Sequence, residues 1–338
     1  MKALVLYGPY DLKIAEFPAP ALTDDGVRIA VQYCGLCGTD MHKYHGRSGS
    51  RKVTYPVPLG HEISGIVEAV GKDVTDFKVG DRVTADPNYS CGKCYYCRNG
   101  LTHMCENSRG VIKGMAEYVC PPACNVYHIP DSLSLRDAAM TEPLSCALHG
   151  IKQLDVQLGN SVMIIGFGAI GNMMLQVLRH MKAGPIIVVE TVDGKRETAA
   201  RLGADLFINP ITENVEEKLT EAGIRNVDRV IECVGAKSAV ESAFHYAGKC
   251  ATVVLFGVGD DSDPPAYYGY EAFQKELTIR NSFINPHTTQ LAIDMLTDGR
   301  VIVDDFLSAV VSLEEMCEEI RSPALSRNGK VIAKIRED

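Results

Sequence analysis

Four cysteines, Cys91, Cys94, Cys97 and Cys105, lie in the stretch CGKCYYCRNGLTHMC with the spacing C-x2-C-x2-C-x7-C. Thiolates are soft ligands, and zinc accepts four of them tetrahedrally with no position left over. Gaps this short let one loop wrap one ion, so a lobe over about residues 88–108 is expected to hold a structural zinc. Two disulfides, or four unrelated buried thiols, are the competing arrangements. The density of cysteine in a chain without an export signal favours metal. A closed site offers no position to a substrate, so the chemistry must lie elsewhere.

A second pattern binds rather than reacts. Gly166-x-Gly168-x-x-Gly171 stands between the apolar run SVMIIGFG and the helical spacing of AIGNMMLQVLRHMK. The first glycine permits a tight turn, the second lets backbone approach a pyrophosphate, and the third lets helix and strand pack closely. Ala169 and Ile170 open the helix, whose N–H groups and partial positive charge suit phosphates. Glu190 ends the following strand at about the 20-residue interval at which an acidic residue meets ribose hydroxyls. It would repel the 2′-phosphate of NADP, so NAD is expected. Lys195 and Arg196 follow, and they argue for NADP unless they only form a solvated helix face.

Other residues are candidates by type alone. Cys37 lies in CGLCGTD, His61 and Glu62 in PLGHE, and Glu142 in MTEPL. A cysteine, a histidine and one or two carboxylates can bind zinc and leave a position free for water or substrate. By composition alone His61 also reads as a core histidine, and Glu142 before Pro143 as a helix-start residue. Cys34 sits on an alternating strand and reads as core. Cys120, Cys124, Cys250 and Cys317 have no ligand grouping. Cys146 and Cys233 read as packing residues.

These residues need two kinds of scaffold. Residues 1 to about 150 read as short strands broken by turns: VRIAVQYCG alternates, and EISGIVEAVG and GDRVTADP are punctuated by Gly71 and Gly80-Asp81. An all-β, barrel-like unit is expected there. From Gly159 onward SVMIIGFG, IIVVE, LFINP, RVIECVG, ATVVLFG and LTIRNSF alternate with helical spacings such as GKRETAARLGA. That rhythm predicts a doubly wound parallel sheet over about 151–286. Ile170, Met174 and Val177 mark one face of its first helix. The helix TTQLAIDMLTDG and the strand KVIAKI, in 287–338, are expected to return to the first domain.

The whole chain sets outer limits. Its 338 residues suffice for two cored domains. A net charge of −9 without a dense Lys/Arg block makes nucleic acid or an anionic membrane an unexpected partner. MKALVLYGPY carries too short an apolar run for a signal peptide or a membrane span. Twelve cysteines without an export signal lead us to expect a cytoplasmic protein.

The segments CGLCGTDMH, PLGHEISGIVEAVG, the four-cysteine lobe, TEPLSCALHG and the glycine turn occur in an order that resembles the zinc-dependent medium-chain dehydrogenase/reductase family. The likeness runs over nearly the whole chain and is closest to the polyol (sorbitol-type) dehydrogenase branch, where Glu-Pro replaces a cysteine of the alcohol dehydrogenases. It implies a GroES-like first domain, a Rossmann NAD-binding domain and an active site in the cleft between them. It implies that Cys37 and His61 ligate a catalytic zinc, that Glu142 supplies a further ligand, and that Glu62 binds directly or exchanges with water or Glu142. Asp40 resembles the carboxylate that orients the imidazole of His61; a turn-capping aspartate is the alternative. Thr39 resembles the hydroxyl that takes the substrate proton, and His42 the relay that passes it to solvent. Tyr44, His45, Phe283 and Asn285 are candidate pocket residues. One departure is the segment ENSRGVIKGMAEY, which replaces a longer glycine-rich stretch of the family. Its Arg109 and Lys113 either greet an anionic or polyhydroxylated substrate or lie solvated.

The resemblance implies a zinc-dependent, NAD-linked dehydrogenase with two zinc ions per chain. It would oxidise a secondary alcohol of a polyol, sugar or cyclitol-like substrate to a ketone, or run the reverse. A threonine-type or simple alcohol substrate is the alternative within the family. A non-catalytic nucleotide-binding protein of the same fold is the alternative outside it, and it would lack a ligand or relay residue. A homodimer or homotetramer is expected from relatives.

Overall fold

The computed structural model describes residues 1–47, 53–259 and 263–336. The chain divides into two compact units, residues 1–145 with 285–338, and residues 146–284. The first crossing falls inside the helix Thr141–Leu154, a few residues before the position expected from sequence.

The first unit is built on a seven-stranded sheet. Its path runs Val126–His128, Arg82–Ala85, Glu62–Val70, Val27–Gly35, Lys330–Lys334, Leu307–Ser312, with Tyr118–Val119 also pairing on Val27–Gly35. A three-stranded sheet that includes Lys2–Gly8 supplies Leu4 and Leu6 to the same core as Ile29, Val31, Ile63 and Val83. Two sheets around one core give the barrel-like unit. Val27–Gly35 alternates buried and half-buried positions over its first residues, as its sequence pattern requires. Cys34, on that strand, is fully buried among the core residues.

The C-terminal strand Lys330–Lys334 inserts antiparallel beside Val27–Gly35, with Ile332 opposite Gly35. Gly35 in turn lies opposite Glu62 on the neighbouring strand. Three distant sequence segments therefore meet at one end of the sheet. The glycine leaves room for two side chains there: a Cβ on Gly35 would stand 2.0 Å from Glu62 Oε2 and 2.7 Å from Met140 Cε, and both would have to shift.

The second unit is a six-stranded parallel sheet in the order Leu206–Ile208, Ile186–Val189, Val162–Ile165, Arg229–Glu232, Thr252–Leu255, Thr278–Asn281. The strands Val162–Ile165 and Ile186–Val189 are buried at every position, as strands covered on both faces must be. The chain reverses direction across the sheet between Val162–Ile165 and Arg229–Glu232, the switch point at which ligands bind in open α/β sheets. The helix Ala169–His180 is buried from Gly171 to Leu178 on all sides, while Ile170 is half-exposed. The stripe expected from Ile170, Met174 and Val177 is thus wider than the spacing implies. Asn172 and Gln176 tolerate burial because Gln176 Nε2 donates to Asn172 Oδ1 at 2.8 Å.

Candidate active site and zinc centres

In the lobe, the sulfurs of Cys91, Cys94, Cys97 and Cys105 all lie within 4.8 Å of one another. Cys94 Sγ stands 3.5 Å from Cys97 Sγ and 3.9 Å from Cys105 Sγ. A tetrahedral ion with Zn–S bonds of about 2.3 Å sets its sulfurs about 3.8 Å apart. A disulfide needs about 2.05 Å, so the disulfide alternative fails on distance. The Cys91 thiol is pulled down to about 6, first by the Lys93 N–H and then by the Asn107 amide. Cys97 is pushed up to about 12 by burial and by the neighbouring sulfurs. Four thiolates this close cannot share their charge without a cation, and a zinc ion supplies it. The lobe closes where Asn88–Tyr89 pairs with Arg109–Gly110, and it holds no reactive position.

Cys37, His61 and Glu62 form the second group, with one ligand atom of each within 4.8 Å of the others. The fold explains the meeting. Cys37 follows the strand Val27–Gly35 and leads into the helix Gly38–Tyr44. His61 and Glu62 stand where the strand Glu62–Val70 begins, directly after Gly60. Gly60 has φ +83°, and a Cβ there would press on Cys34 Sγ at 2.6 Å and on Met115. The segment that departs from the family pattern braces this turn. Gly114 N donates to Gly60 O and Met115 N to Leu59 O, both at 2.8 Å. Of its two cations, Arg109 lies over the Tyr89 ring and Lys113 is exposed.

Asp40 is fully buried behind the group. It accepts from Gly60 N at 3.1 Å and Cys37 N at 3.3 Å, and Oδ1 lies 3.8 Å from His61 Nδ1. At that separation it acts on the ring through charge. Burial pushes the Asp40 carboxyl up, yet His61, Lys43 and Gly60 outweigh it and hold the group well below the usual carboxylate range. Burial likewise pushes His61 down, but Cys37 and Asp40 drive it well above its ordinary value. A ring set between the Cys37 sulfur and a buried carboxylate sits in a field that favours a cation, and a divalent metal satisfies it. Glu62 adds a further sign: Oε2 is buried without a hydrogen-bond partner. The donor set of sulfur, imidazole and carboxylate fits zinc.

Glu142 is buried in the first turn of the helix Thr141–Leu154, but its carboxylate lies outside the three-residue group. Thr39 and His42 share the helix Gly38–Tyr44 with Asp40, both half-buried. Two of the pocket candidates are committed to the fold. Tyr44 is 7% exposed and packs edge-on against Tyr10, with ring centroids 5.3 Å apart. Asn285 is 1% exposed; it accepts from Asn88 Nδ2 at 2.8 Å and donates to Ser145 Oγ at 2.9 Å. Its burial, with one bond at each end of the amide, ties Asn285 to the fold. His45 is half-buried against Tyr10 and Tyr44, and Phe283 is exposed.

Lys330 escaped the sequence reading. It is 7% exposed, and its Nζ pairs with Glu62 Oε1. A lysine opening KVIAKI looks like a solvated strand end; only the insertion of that strand beside Gly35 turns it inward.

The glycine turn has the geometry its spacing implied. Gly166 has φ +92°. A Cβ on Gly171 would stand 2.1 Å from Gly166 O, so only glycine lets helix and turn approach. A Cβ on Gly168 would meet nothing within 4 Å, and no side chain caps the helix that starts there. Uncapped N–H groups facing open space form a phosphate cradle. Glu190 pins the turn: Oε2 accepts from Phe167 N at 2.8 Å, Oε1 from Val192 N at 3.0 Å, and Lys195 Nζ lies 3.2 Å from Oε2. Glu232, at the switch point, accepts from Val234 N and Gly235 N through Oε1.

Comparison with known proteins agrees with both halves. Residues 23–131 match the alcohol dehydrogenase GroES-like domain, and residues 169–298 match the zinc-binding dehydrogenase domain. D-xylulose reductase A of Aspergillus oryzae is 32% identical over 93% of this chain and 90% of its own length. Sorbitol dehydrogenase of Bacillus subtilis is also 32% identical, over 93% of this chain and 91% of its own. The chain belongs to the zinc-dependent medium-chain dehydrogenase family, in its polyol dehydrogenase branch. A solved zinc-binding dehydrogenase of Sinorhizobium meliloti, bound to NADP, superposes with a TM-score of 0.92 at 33% identity, covering 99% of both chains. This member of the family is therefore an oxidoreductase of CH–OH groups on a GroES-like plus Rossmann scaffold. Among the described residues no helix is long and apolar enough to cross a membrane.

Proposed function

We propose that this dehydrogenase oxidises a secondary alcohol of a polyol, sugar or cyclitol-like substrate with NAD, and reduces the matching ketone. The observation that carries the reading is the convergence of Cys37, His61 and Glu62 on one point, with a buried Glu62 oxygen lacking a partner. Cys37 and His61 would hold a catalytic zinc, with Glu62 or Glu142 as the carboxylate ligand. When bound, zinc acidifies a coordinated hydroxyl and the nicotinamide ring takes the hydride. Asp40 polarises the His61 ring through its charge. Thr39 takes the hydroxyl proton, and His42 passes it to solvent. The uncapped helix behind Gly168 receives the pyrophosphate, and Glu190 with Lys195 faces the adenosine ribose.

Glu190 supports NAD, because a second anion beside its carboxylate is repelled. Burial raises the Glu190 carboxyl, but Lys195 and the Phe167 and Val192 N–H groups more than offset this and keep it ionised. The NADP in the Sinorhizobium meliloti structure makes the comparison of cofactors part of the test. The chain is proposed to be cytoplasmic and to self-associate as a dimer or tetramer, which sedimentation would determine.

The test is metal analysis combined with an NADH-fluorescence screen over polyols, inositols, sugar phosphates and amino-alcohols, with NADP in parallel. Two zinc ions per chain and turnover of a polyol support the proposal. A single zinc confined to the lobe, with no turnover, would favour a non-catalytic protein. Turnover restricted to threonine-like substrates would move the enzyme to another branch.

A further inference from the structure

We propose that Lys330 is a positioning residue of the metal centre, holding Glu62 by one oxygen and withholding that carboxylate from permanent ligation. The inference rests on the reading of Cys37, His61 and Glu62 as the metal group.

The geometry has three parts. First, Lys330 is fixed from its backbone outward. Its N–H donates to Phe306 O at 2.7 Å, and its strand is paired on both sides. Its side chain reaches Glu62 Oε1 at the floor of the group. A buried lysine is rare without a partner, and Lys330 has several anions at hand. Glu62, Cys37 and Glu142 all act on it electrostatically. Second, Gly35 leaves room for the carboxylate to lie against the neighbouring strand, with Oε2 beside the Gly35 backbone and the Met140 methyl. Third, Oε2 receives no hydrogen bond there. Glu62 is thus held at one oxygen and unsatisfied at the other, the arrangement of a group with a second use.

The charges give the purpose. Cys37, Glu62 and Glu142 bring three negative charges, and a divalent ion with Lys330 brings three positive ones. With Lys330 on Glu62, a metal faces one thiolate, one imidazole and at most one further carboxylate, and keeps a position open for substrate. Without Lys330, Glu62 would be a buried uncompensated anion whose best available partner is the metal. The added anion would hold the ion more tightly and make it a weaker Lewis acid. Lys330 therefore sets which carboxylate the metal sees.

The experiment uses the full-length protein with cobalt in the catalytic position, so that the donor set is read from its visible spectrum independently of turnover. Lys330→Met removes the charge and keeps the length; Lys330→Arg keeps the charge. In Lys330→Met we expect chelator-driven loss of the catalytic ion to slow about 10-fold or more, the scale on which partners of metal ligands act. Its spectrum shifts, and kcat falls with little change in KM. Lys330→Arg stays near wild type, and the double variant Lys330→Met/Glu62→Gln returns the release rate to the wild-type value. A folded Lys330→Met with wild-type spectrum and release rate overturns the proposal, leaving Lys330 as a brace for its strand. Should Lys330→Met not fold, Lys330→Gln, which likewise removes the charge, is read by the same spectrum and release rate, and wild-type values in a folded Lys330→Gln overturn the idea. Wild-type protein that binds metal only in the lobe would instead refute the metal-site reading beneath it.

Discussion

The glycine turn allows a sharp separation of packing from ligand binding. In Gly171→Ala the new methyl stands 2.1 Å from Gly166 O. That is more than an ångström short of the separation of about 3.5 Å at which nonbonded heavy atoms settle. Both partners are backbone, so no rotamer change relieves the clash and helix and turn must part. Overpacking of this kind costs about 1–3 kcal/mol, and the rigid partner places the cost at the upper end. For a domain of this size that lowers the melting temperature by about 6–9 °C. In Gly168→Ala the methyl meets nothing within 4 Å, and the residue already has extended backbone at φ −76°. The loss of glycine's freedom when unfolded and the poorer cap nearly offset each other, leaving stability within about 0.5–1 kcal/mol. The same methyl fills the space through which a pyrophosphate would approach. If that contact costs as much as overpacking, NADH binds about 5–150-fold more weakly. Thermal unfolding without cofactor and NADH fluorescence titration read the two effects separately. Gly171→Ala should lose both stability and affinity, and Gly168→Ala affinity alone. Wild-type NADH affinity in Gly168→Ala would refute the assignment of the open helix end to phosphate.

Three further outcomes are expected. His42→Ala should lower turnover more at neutral than at alkaline pH, where solvent itself accepts the proton; a pH-independent loss in kcat profiles would remove His42 from the relay. Cys94→Ser should abolish metal binding in the lobe, reduce zinc by one ion per chain and open residues 88–108 to limited proteolysis, with elemental analysis and peptide mapping as the readout. Glu232 carries a carboxyl that burial raises above its ordinary 4.5 despite the opposing Gly235, Val234 and Gly257 N–H groups. A raised pKa means the folded form retains a proton that the unfolded form releases, so stability is full below pH 4.5 and declines as pH rises through the folded value. Denaturant titrations of Glu232→Gln and wild type should agree below pH 4.5 and diverge above it, with the variant more stable; parallel curves would refute the argument.

The local chemistry was legible wherever neighbours in sequence are neighbours in space. The spacing of Cys91, Cys94, Cys97 and Cys105 implies one ion because a short loop can reach around it, and their sulfurs lie at tetrahedral separations. The glycine turn is equally local: its three glycines act within a strand, a turn and one helix. Cys34 was assigned to the core from strand alternation, and it lies there.

What the sequence left open depends on chain crossings. Composition gave His61 and Glu142 ordinary structural readings, and the family likeness rather than spacing raised them to ligands. The fold groups Cys37 with His61 and Glu62 because Gly35 faces Glu62 across two antiparallel strands. Asn285 looked available to a substrate, but the meeting of Asn88 and Ser145 around it uses both ends of its amide. Lys330, near the end of the chain, carries no local sign of burial and becomes part of the site because its strand pairs beside Val27–Gly35. Sequence alone determines local geometry through spacing and backbone freedom. Register between distant strands decides which charges share a desolvated space, and only tertiary structure sets that register, because each pairing is fixed by the burial of whole faces rather than by the residues that react.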